Sequence, residues 1–355
     1  MSCSEITIEI AGRKIGPSYP PYVIAEVSGN HNGDINRAKE LLEAAKDAGV
    51  DAVKMQTYTA DTITIDHRGE GFEITQGLWK GRTLYELYDE AHTPWEWHAE
   101  LFERARKLQL TIFSSPFDTS AVDFLESLNV PAYKIASFEL VDIPLVKAIA
   151  TTGKPLIMST GMAGITEISE AVEAATSAGC ERMALLHCVS GYPTPPLDAN
   201  VKTVADLALR FGVVAGISDH TIGIGVSVAA VALGASIVEK HFTLKRSDGG
   251  PDAAFSLEPN ELKTLVNECR SAWESLGDVN YSVKPSEQQN LQFRRSLYVV
   301  ADVRKGESFT PENVRSIRPG YGLSPKQLPE VLNRKASCNI ACGTPLSIDM
   351  IEDAG

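Results

Sequence analysis

"GISDHTIG" (216–223) and "IVEKHFTL" (237–244) are the two stretches whose reading decides the fold. Each is a short apolar run that finishes in a histidine flanked by charge, and the two histidines, His220 and His241, lie about 20 residues apart. Strand-like runs spaced this way, with amphipathic sequence between them, predict a repeated strand–helix unit.

The unit recurs along the chain. Val/Ile-rich runs stand at 22–29 (YVIAEVSG), 52–58 (AVKMQTY), 110–117 (LTIFSSPF), 132–138 (AYKIASF), 155–161 (PLIMSTG), 183–191 (MALLHCVSG), 213–221 and 236–243. Helical segments such as NRAKELLEAAKDAG (36–49) and ITEISEAVEAATSAG (165–179) alternate with them, and several open on Asn or Thr and close on Gly, as caps require. Eight strands and eight helices in roughly 250 residues predict an α/β fold of the (β/α)8 TIM-barrel class. A doubly wound open sheet would carry a GxGxxG turn after its first strand, and EVSGNHNGD (26–34) does not match it.

Outside the alternation lie three features. ITIEIAGRKIG (6–16) reads as a β-hairpin closing the barrel bottom. Residues 59–92 form a long aromatic insertion after the second strand, on the face where barrels keep their chemistry, and read as a wall or lid or else as a packed surface excursion. After the barrel domain, 1–280, a polar linker (281–295) leads to a module of short runs broken by Gly and Pro (296–355), too small for a thick core of its own.

Composition narrows the function classes. Among 355 residues 43% are hydrophobic and 22% charged, and the formal net charge of −13 argues against nucleic acid as the main partner. No apolar run approaches the ~20 residues of a membrane span. The N-terminus lacks a signal-peptide pattern, and six cysteines without metal-type spacing predict reduced thiols and a cytoplasmic protein.

A barrel's active site lies at the C-terminal ends of its strands. Read in order, those ends supply Glu26, then Lys54 and Gln56, then Ser115, then Lys134, Ser137 and Glu139, then Ser159, then Ser190 and Tyr192, then Ser218 and His220, then Lys240 and His241. Neighbouring strands lie ~4.8 Å apart, so His220 and His241 can share a divalent metal, or each can hydrogen-bond locally. Lys54 and Lys134 among serine hydroxyls suit a small phosphorylated carboxylate, and a Schiff-base lysine is the competing role. His187 lies mid-strand and reads as a buried, satisfied histidine.

At these residues the chain resembles a known family. IAEVSGNHNGD (24–34), AVKMQTYTAD (52–61), YKIASFE (133–139), STGM (159–162), LLHC (185–188), YPTP (192–195), GISDHT (216–221) and EKHFTL (239–244) resemble the sialic acid synthase family, which condenses phosphoenolpyruvate (PEP) with an amino sugar. RSLYVVADVRKGE (295–307) and RSIRPGYG (315–322) resemble that family's C-terminal SAF domain, antifreeze-like and of β-clip type. QTYTADTITI (56–65), GLWKGRTLYELYDEAHTPWEWH (77–98) and SDGGPDAAFSLEP (247–259) resemble its pseudaminic-acid branch, with the N-acetylneuraminic and legionaminic branches as alternatives. A Schiff-base aldolase and a non-catalytic sugar-binding protein are remoter alternatives.

The resemblance implies roles. His220 and His241 would hold a divalent metal, Mn2+ with Mg2+ or Co2+ as alternatives. Lys54, Ser115, Lys134, Ser137, Ser159, Ser190 and Ser218 would bind PEP, although the wider family has Asn where Ser190 stands. Glu26 would be the catalytic carboxylate. Gln56, Glu139, Tyr192 and Asp252 would face the sugar. Arg318 would reach the active site of a second subunit, which implies a domain-swapped homodimer.

Overall fold

In a computed structural model, which describes residues 6–352, the strand–helix units close on themselves. The chain opens with β1 (Ile8–Ile10) and β2 (Arg13–Ile15). The barrel strands are β3 (Tyr22–Glu26), β4 (Ala52–Thr57), β5 (Thr111–Pro116), β6 (Tyr133–Ile135), β7 (Leu156–Ser159), β8 (Met183–Cys188), β9 (Val214–Asp219) and β10 (Ile237–His241). They form a closed parallel barrel in sequence order, with β10 pairing back onto β3. The helices are α1 (Ile35–Ala48), α2 (Ala60–Ile63), α3 (Leu84–Ala91), α4 (Trp95–Lys107), α5 (Thr119–Ser127), α6 (Ile143–Ala150), α7 (Ile165–Ser177), α8 (Thr203–Phe211), α9 (Gly225–Ala232) and α10 (Pro259–Leu276). The expected (β/α)8 barrel is therefore present.

Local chemistry sets the helix ends. Asp34 caps α1 by accepting from Asn36 N–H, and Gly49 ends it at φ 86°, a left-handed conformation that costs glycine little. Asp118 caps α5 in the same way through Ser120 and Ala121. The period-2 alternation of the strands sorts their side chains. Ile24, Phe113, Ile157, Leu186 and Ile237 fill the lower barrel, and Ile8, Ile10 and Ile15 of the β1–β2 hairpin close it from below. The alternate residues, such as Val23, Val53, Met158 and Val238, pack outward against the helices. Each such side chain contributes about 1.5–3 kcal/mol by leaving water.

The 59–92 insertion is more ordered than a bare loop. It contains α2 and α3, and between them a hairpin-like arm tied by Glu73–Thr83 bridging, by Ile74 N–H donating to the Arg82 carbonyl and by Gly81 N–H donating to the Ile74 carbonyl. α3 starts with a capping box in which Thr83 and Glu86 exchange hydrogen bonds. α4 follows the insertion at Trp95, with Pro94 at its N-cap.

The chain divides into two compact units after Gly277. The second holds β11 (Ser296–Val299), β12 (Val314–Ile317) and α11 (Leu328–Val331), with little other regular structure. Residues Pro285–Phe293 form 3-10 turns in the same unit. Its core is thin, built on Leu297, Val299, Phe309, Val314 and Leu346. No helix among the described residues is long and apolar enough to cross a membrane.

Candidate active site

Period 2 places Glu239 and His241 of β10 on the barrel interior and Lys240 on the exterior. Sequence reading had set Lys240 at the mouth beside His241, and the structure corrects this. Lys240 Nζ lies behind the sheet, 2.9 Å from Asp219 Oδ2 and 2.7 Å from the Thr221 carbonyl. Asp219 also accepts from Ser227 Oγ at 2.6 Å and Thr221 N–H at 2.8 Å. Asp219 and Lys240 immediately precede His220 and His241, so this buried pair ties together the ends of the two strands that carry the histidines.

Inside the barrel lies a quartet of charges. Lys54 Nζ is 2.8 Å from Glu26 Oε2 and 3.5 Å from Glu239 Oε1. Lys134 Nζ donates to both oxygens of Glu239, at 2.8 and 3.1 Å, and Ser218 Oγ donates to Oε1 at 2.9 Å. None of the four charged residues is more than 4% exposed. Burial works against the charge on Lys54, but Glu239 and Glu26 outweigh it and hold the ammonium above its ordinary range. Glu239 resists protonation despite its own burial, because Lys134 and Lys54 hold its carboxylate below the ordinary range. Burial raises the Glu26 carboxyl, opposed by Lys54 and reinforced by Glu239. Glu26 Oε1 accepts from Ser28 N–H at 2.9 Å and from Gln56 Nε2 at 3.2 Å. Oε2 touches the Lys54 ammonium off the line of a hydrogen bond, so no donor is aligned with it.

Hydroxyls line the same space. Lys54 Nζ donates to Ser115 Oγ at 3.4 Å. Gly161 N–H donates to Ser137 Oγ at 3.1 Å, and a Cβ at Gly161 would collide with the hydroxyls of Ser137 and Ser190. A glycine there lets two side chains and a backbone approach one point. Ser159 Oγ is buried without a partner. Buried polar atoms in native proteins are nearly always paired, so this donor and the cradle around it fit an absent polar guest.

Above the quartet sit the histidines. Their ring centroids are 5.2 Å apart, and His241 pairs in register with Glu26. His220 Nδ1 donates to the Val189 carbonyl at 3.0 Å, the outer contact typical of a histidine that ligates a metal through Nε2. His241 Nδ1 is buried without a hydrogen bond, and Asp252 Oδ2 lies 3.7 Å from it. Burial, then His220 and Lys54, holds His241 well below its ordinary pKa, so it is a neutral imidazole. Among the described residues no three His, Cys, Asp or Glu side chains gather closely enough to hold an ion unaided. Two adjacent imidazoles, one with an orphaned nitrogen, fit a divalent cation whose other positions stay open to substrate.

The outer wall is mixed. Asp252 accepts from Ser28 Oγ, and Gln56 Nε2 also reaches Ser28 at 3.3 Å. Glu139 follows β6, with one carboxyl oxygen buried and unpaired, and burial pushes its pKa up to about 7. The Tyr192 ring lies 4.5 Å from His220 and 5.3 Å from Phe255. Arg318 belongs to the second unit, exposed at the end of β12. His187 is satisfied by the Ala199 carbonyl at 2.6 Å.

Sequence reading missed Glu239, Cys188 and Phe255. Glu239 and Cys188 could have been found by period 2, since each lies two residues from a residue assigned to the site, His241 and Ser190. Cys188 Sγ is 3.8 Å from His220 Nδ1.

Comparison with known proteins gives a consistent relationship. Residues 41–281 match the NeuB family and residues 294–352 match the SAF domain. The chain is 47% identical over 334 residues to a pseudaminic acid synthase of Helicobacter pylori, covering 94% of this chain and 98% of that one. It is 44% identical over 325 residues to a pseudaminic acid synthase of Campylobacter jejuni, covering 92% and 95%. The solved N-acetylneuraminic acid (sialic acid) synthetase of Leptospira borgpetersenii, in complex with citrate, superposes with a TM-score of 0.72 at 34% identity, over 82% of this chain and 96% of that one.

Proposed function

The chain belongs to the NeuB family, and from that premise we propose that it condenses PEP with 2,4-diacetamido-2,4,6-trideoxy-L-altrose and water, giving pseudaminic acid and phosphate. It is an enzyme of the transferase type, and its substrates are PEP and an amino sugar. The observation that carries the reading is the buried quartet of Lys54, Lys134, Glu26 and Glu239 directly beneath the histidine pair. An anion site below a carbonyl site is what a PEP condensation needs.

In this reading Lys54 and Lys134 turn from the carboxylates to the phosphate and carboxylate of PEP. Ser115, Ser137, Ser159, Ser190 and Ser218 donate to the remaining oxygens. The quartet already offers two preorganised positive charges in a space without bulk water, where they act most strongly. Gln56, Glu139, Tyr192 and Asp252 hold the open-chain sugar with its aldehyde toward His220 and His241. A divalent cation held by those histidines, Mn2+ by preference and Mg2+ or Co2+ otherwise, supplies Lewis-acid polarisation of the aldehyde. Carbon 3 of PEP forms the new bond to the aldehyde carbon, and positive charge develops at carbon 2. Glu26 Oε2, released from its 2.8 Å ion pair as Lys54 turns to PEP, accepts a proton from the water that adds at carbon 2. Burial makes Glu26 a stronger base than an ordinary carboxylate. The tetrahedral adduct then loses phosphate by C–O cleavage, and the former aldehyde oxygen ends as a hydroxyl.

Incubation with PEP, the diacetamido sugar and Mn2+ is expected to release phosphate and yield pseudaminic acid by mass and NMR. The bridging oxygen of PEP should appear in the phosphate. Turnover only with N-acetylmannosamine or the legionaminic precursor would reassign the sugar. A borohydride-trapped adduct at Lys134, with activity that survives chelation, would replace the condensation by imine chemistry.

The same proposal includes a domain-swapped homodimer in which Arg318 enters the partner's site. Exposed apolar side chains in successive loops at the strand ends support a covered mouth: Phe138 and Val141 after β6, Met162 after β7, Leu197 after β8 and Ile222 after β9. Losing one donor to the sugar should lower turnover by about 100-fold in Arg318→Ala. Mixed with Glu26→Gln subunits, the variant should regain activity after subunit exchange, because one site of the mixed dimer has both groups. Mixtures that stay inactive would confine Arg318 to its own chain or remove it from the site. We also read the enzyme as cytoplasmic, in keeping with the five free cysteines among the described residues.

A further inference from the structure

We propose that Trp79, carried on the insertion between β4 and α4, is the residue that selects a sugar with a methyl group at its far end. The inference rests on the PEP–sugar condensation proposed above. The arm around residues 75–81 is exposed except at Trp79, which folds back half-buried. Its indole N–H donates to the Pro251 carbonyl at 2.9 Å, next to Asp252. Its ring centroid lies 5.7 Å from that of Tyr192, which itself lies 4.5 Å from His220. Trp79 is therefore two rings out from the histidines, latched in place by a bond that leaves its ring free to contact a guest.

The length of the substrate points the same way. A hexose held by its aldehyde at the histidines extends through five carbon–carbon bonds of about 1.5 Å each, a zigzag of roughly 6 Å that carries carbon 6 past Tyr192 toward Trp79. The charged groups of the barrel interior concentrate at the other end, on Lys54, Lys134, Glu26 and Glu239. Aromatic faces of Trp79, Tyr192 and Phe255 can desolvate a 6-deoxy methyl at no cost, whereas a 6-hydroxyl pressed against them would lose its water without a partner. The discrimination to expect is that of one methyl in an apolar pocket, roughly 10–200-fold in kcat/KM.

The test compares wild type, Trp79→Ala and Trp79→Phe, with PEP and Mn2+, on the diacetamido-trideoxy sugar and on its 6-hydroxy counterpart. Trp79→Ala should raise KM for the deoxy sugar by roughly tenfold or more and flatten the preference between the two sugars. The KM for PEP and the thermal unfolding midpoint should hold. Trp79→Phe keeps an apolar ring but loses the N–H latch, and should retain most of the preference. Unchanged preference in Trp79→Ala, or equal losses for both sugars, would overturn the assignment. Equal losses in both variants would make Trp79 a latch rather than a selector, which also overturns it. If wild type turns over neither sugar, the failure lies with the proposed reaction and not with Trp79.

Discussion

Replacement of either His220 or His241 by alanine is expected to reduce turnover to background while leaving the fold and PEP binding intact. Both rings sit at the ends of strands whose packing is set elsewhere: β9 and β10 are tied from behind by Asp219 and Lys240, and neither histidine shares in that pair. His241 Nδ1 makes no hydrogen bond that its loss would orphan, and Val189 carbonyl is the only strong partner lost with His220 Nδ1 besides the nearby Cys188 thiol. The structural cost should therefore be small, about 1 kcal/mol for the lost bond. The functional cost should be large. Changes that only disturb a ligand's orientation lower metal affinity by about 10–100-fold, and removing the ligand should exceed that. Titration of the apo protein with Mn2+ by calorimetry would read the affinity directly, and chelation of wild type should reproduce the activity loss until Mn2+ is added back. Full activity in rigorously metal-free buffer would sink the metal reading. Loss of PEP binding in His241→Ala would instead mean that the two sites are not separable.

How much of this was legible in the sequence depends on which spacing carried it. The barrel was, because eight apolar runs alternate with capped helices and each repeat constrains the others. The polar strand ends were legible too, from Glu26 to His241, and the structure brings those assigned residues that lie in the first unit around one mouth, apart from Lys240. Lys240 shows the limit of reading a strand end as a cluster. Adjacent residues on a strand face opposite ways, so "EKH" (239–241) puts its two outer letters inside and its middle letter outside. The true interior residue, Glu239, was passed over because a carboxylate within an apolar run makes sense only once its partners are known. Those partners, Lys54 and Lys134, come from strands 185 and 105 residues away in sequence. Trp79 was hidden for a similar reason: its latch to Pro251 spans 172 residues, and no local period announces it.

Glu239 carries the second large expectation. Glu239→Ala should destabilise the protein by about 3–5 kcal/mol, because it leaves two buried ammonium groups to one carboxylate. In the native barrel two lysines face two carboxylates, and Glu239 touches both lysines. Without it, Lys54 and Lys134 face each other across the interior with only Glu26 between them and water. PEP brings a phosphate and a carboxylate to the same lysines, so it should replace the missing charge. Saturating PEP, about one hundred times its dissociation constant, stabilises any protein that binds it by about 2.7 kcal/mol. In wild type the gain per unit of lysine charge is offset, since PEP must draw the lysines from Glu239. In Glu239→Ala no such competition exists, so PEP should bind more tightly and raise the unfolding midpoint by more than it does in wild type. Glu239→Gln keeps an oxygen that can accept from Lys134 or Ser218 but not the charge, and should fall between the two. Thermal melts of the three proteins with and without PEP, in metal-free buffer, separate the possibilities. A melting point unchanged in Glu239→Ala without PEP would mean that the lysines find other partners. A PEP-induced shift no larger than in wild type would mean that Lys54 and Lys134 are not where PEP binds. Turnover should fall in both variants even where PEP binds more tightly, because tighter holding of the ground state does nothing for the carbon–carbon bond, and the lysines, no longer divided between Glu239 and substrate, lose the geometry that aims carbon 3 at the aldehyde.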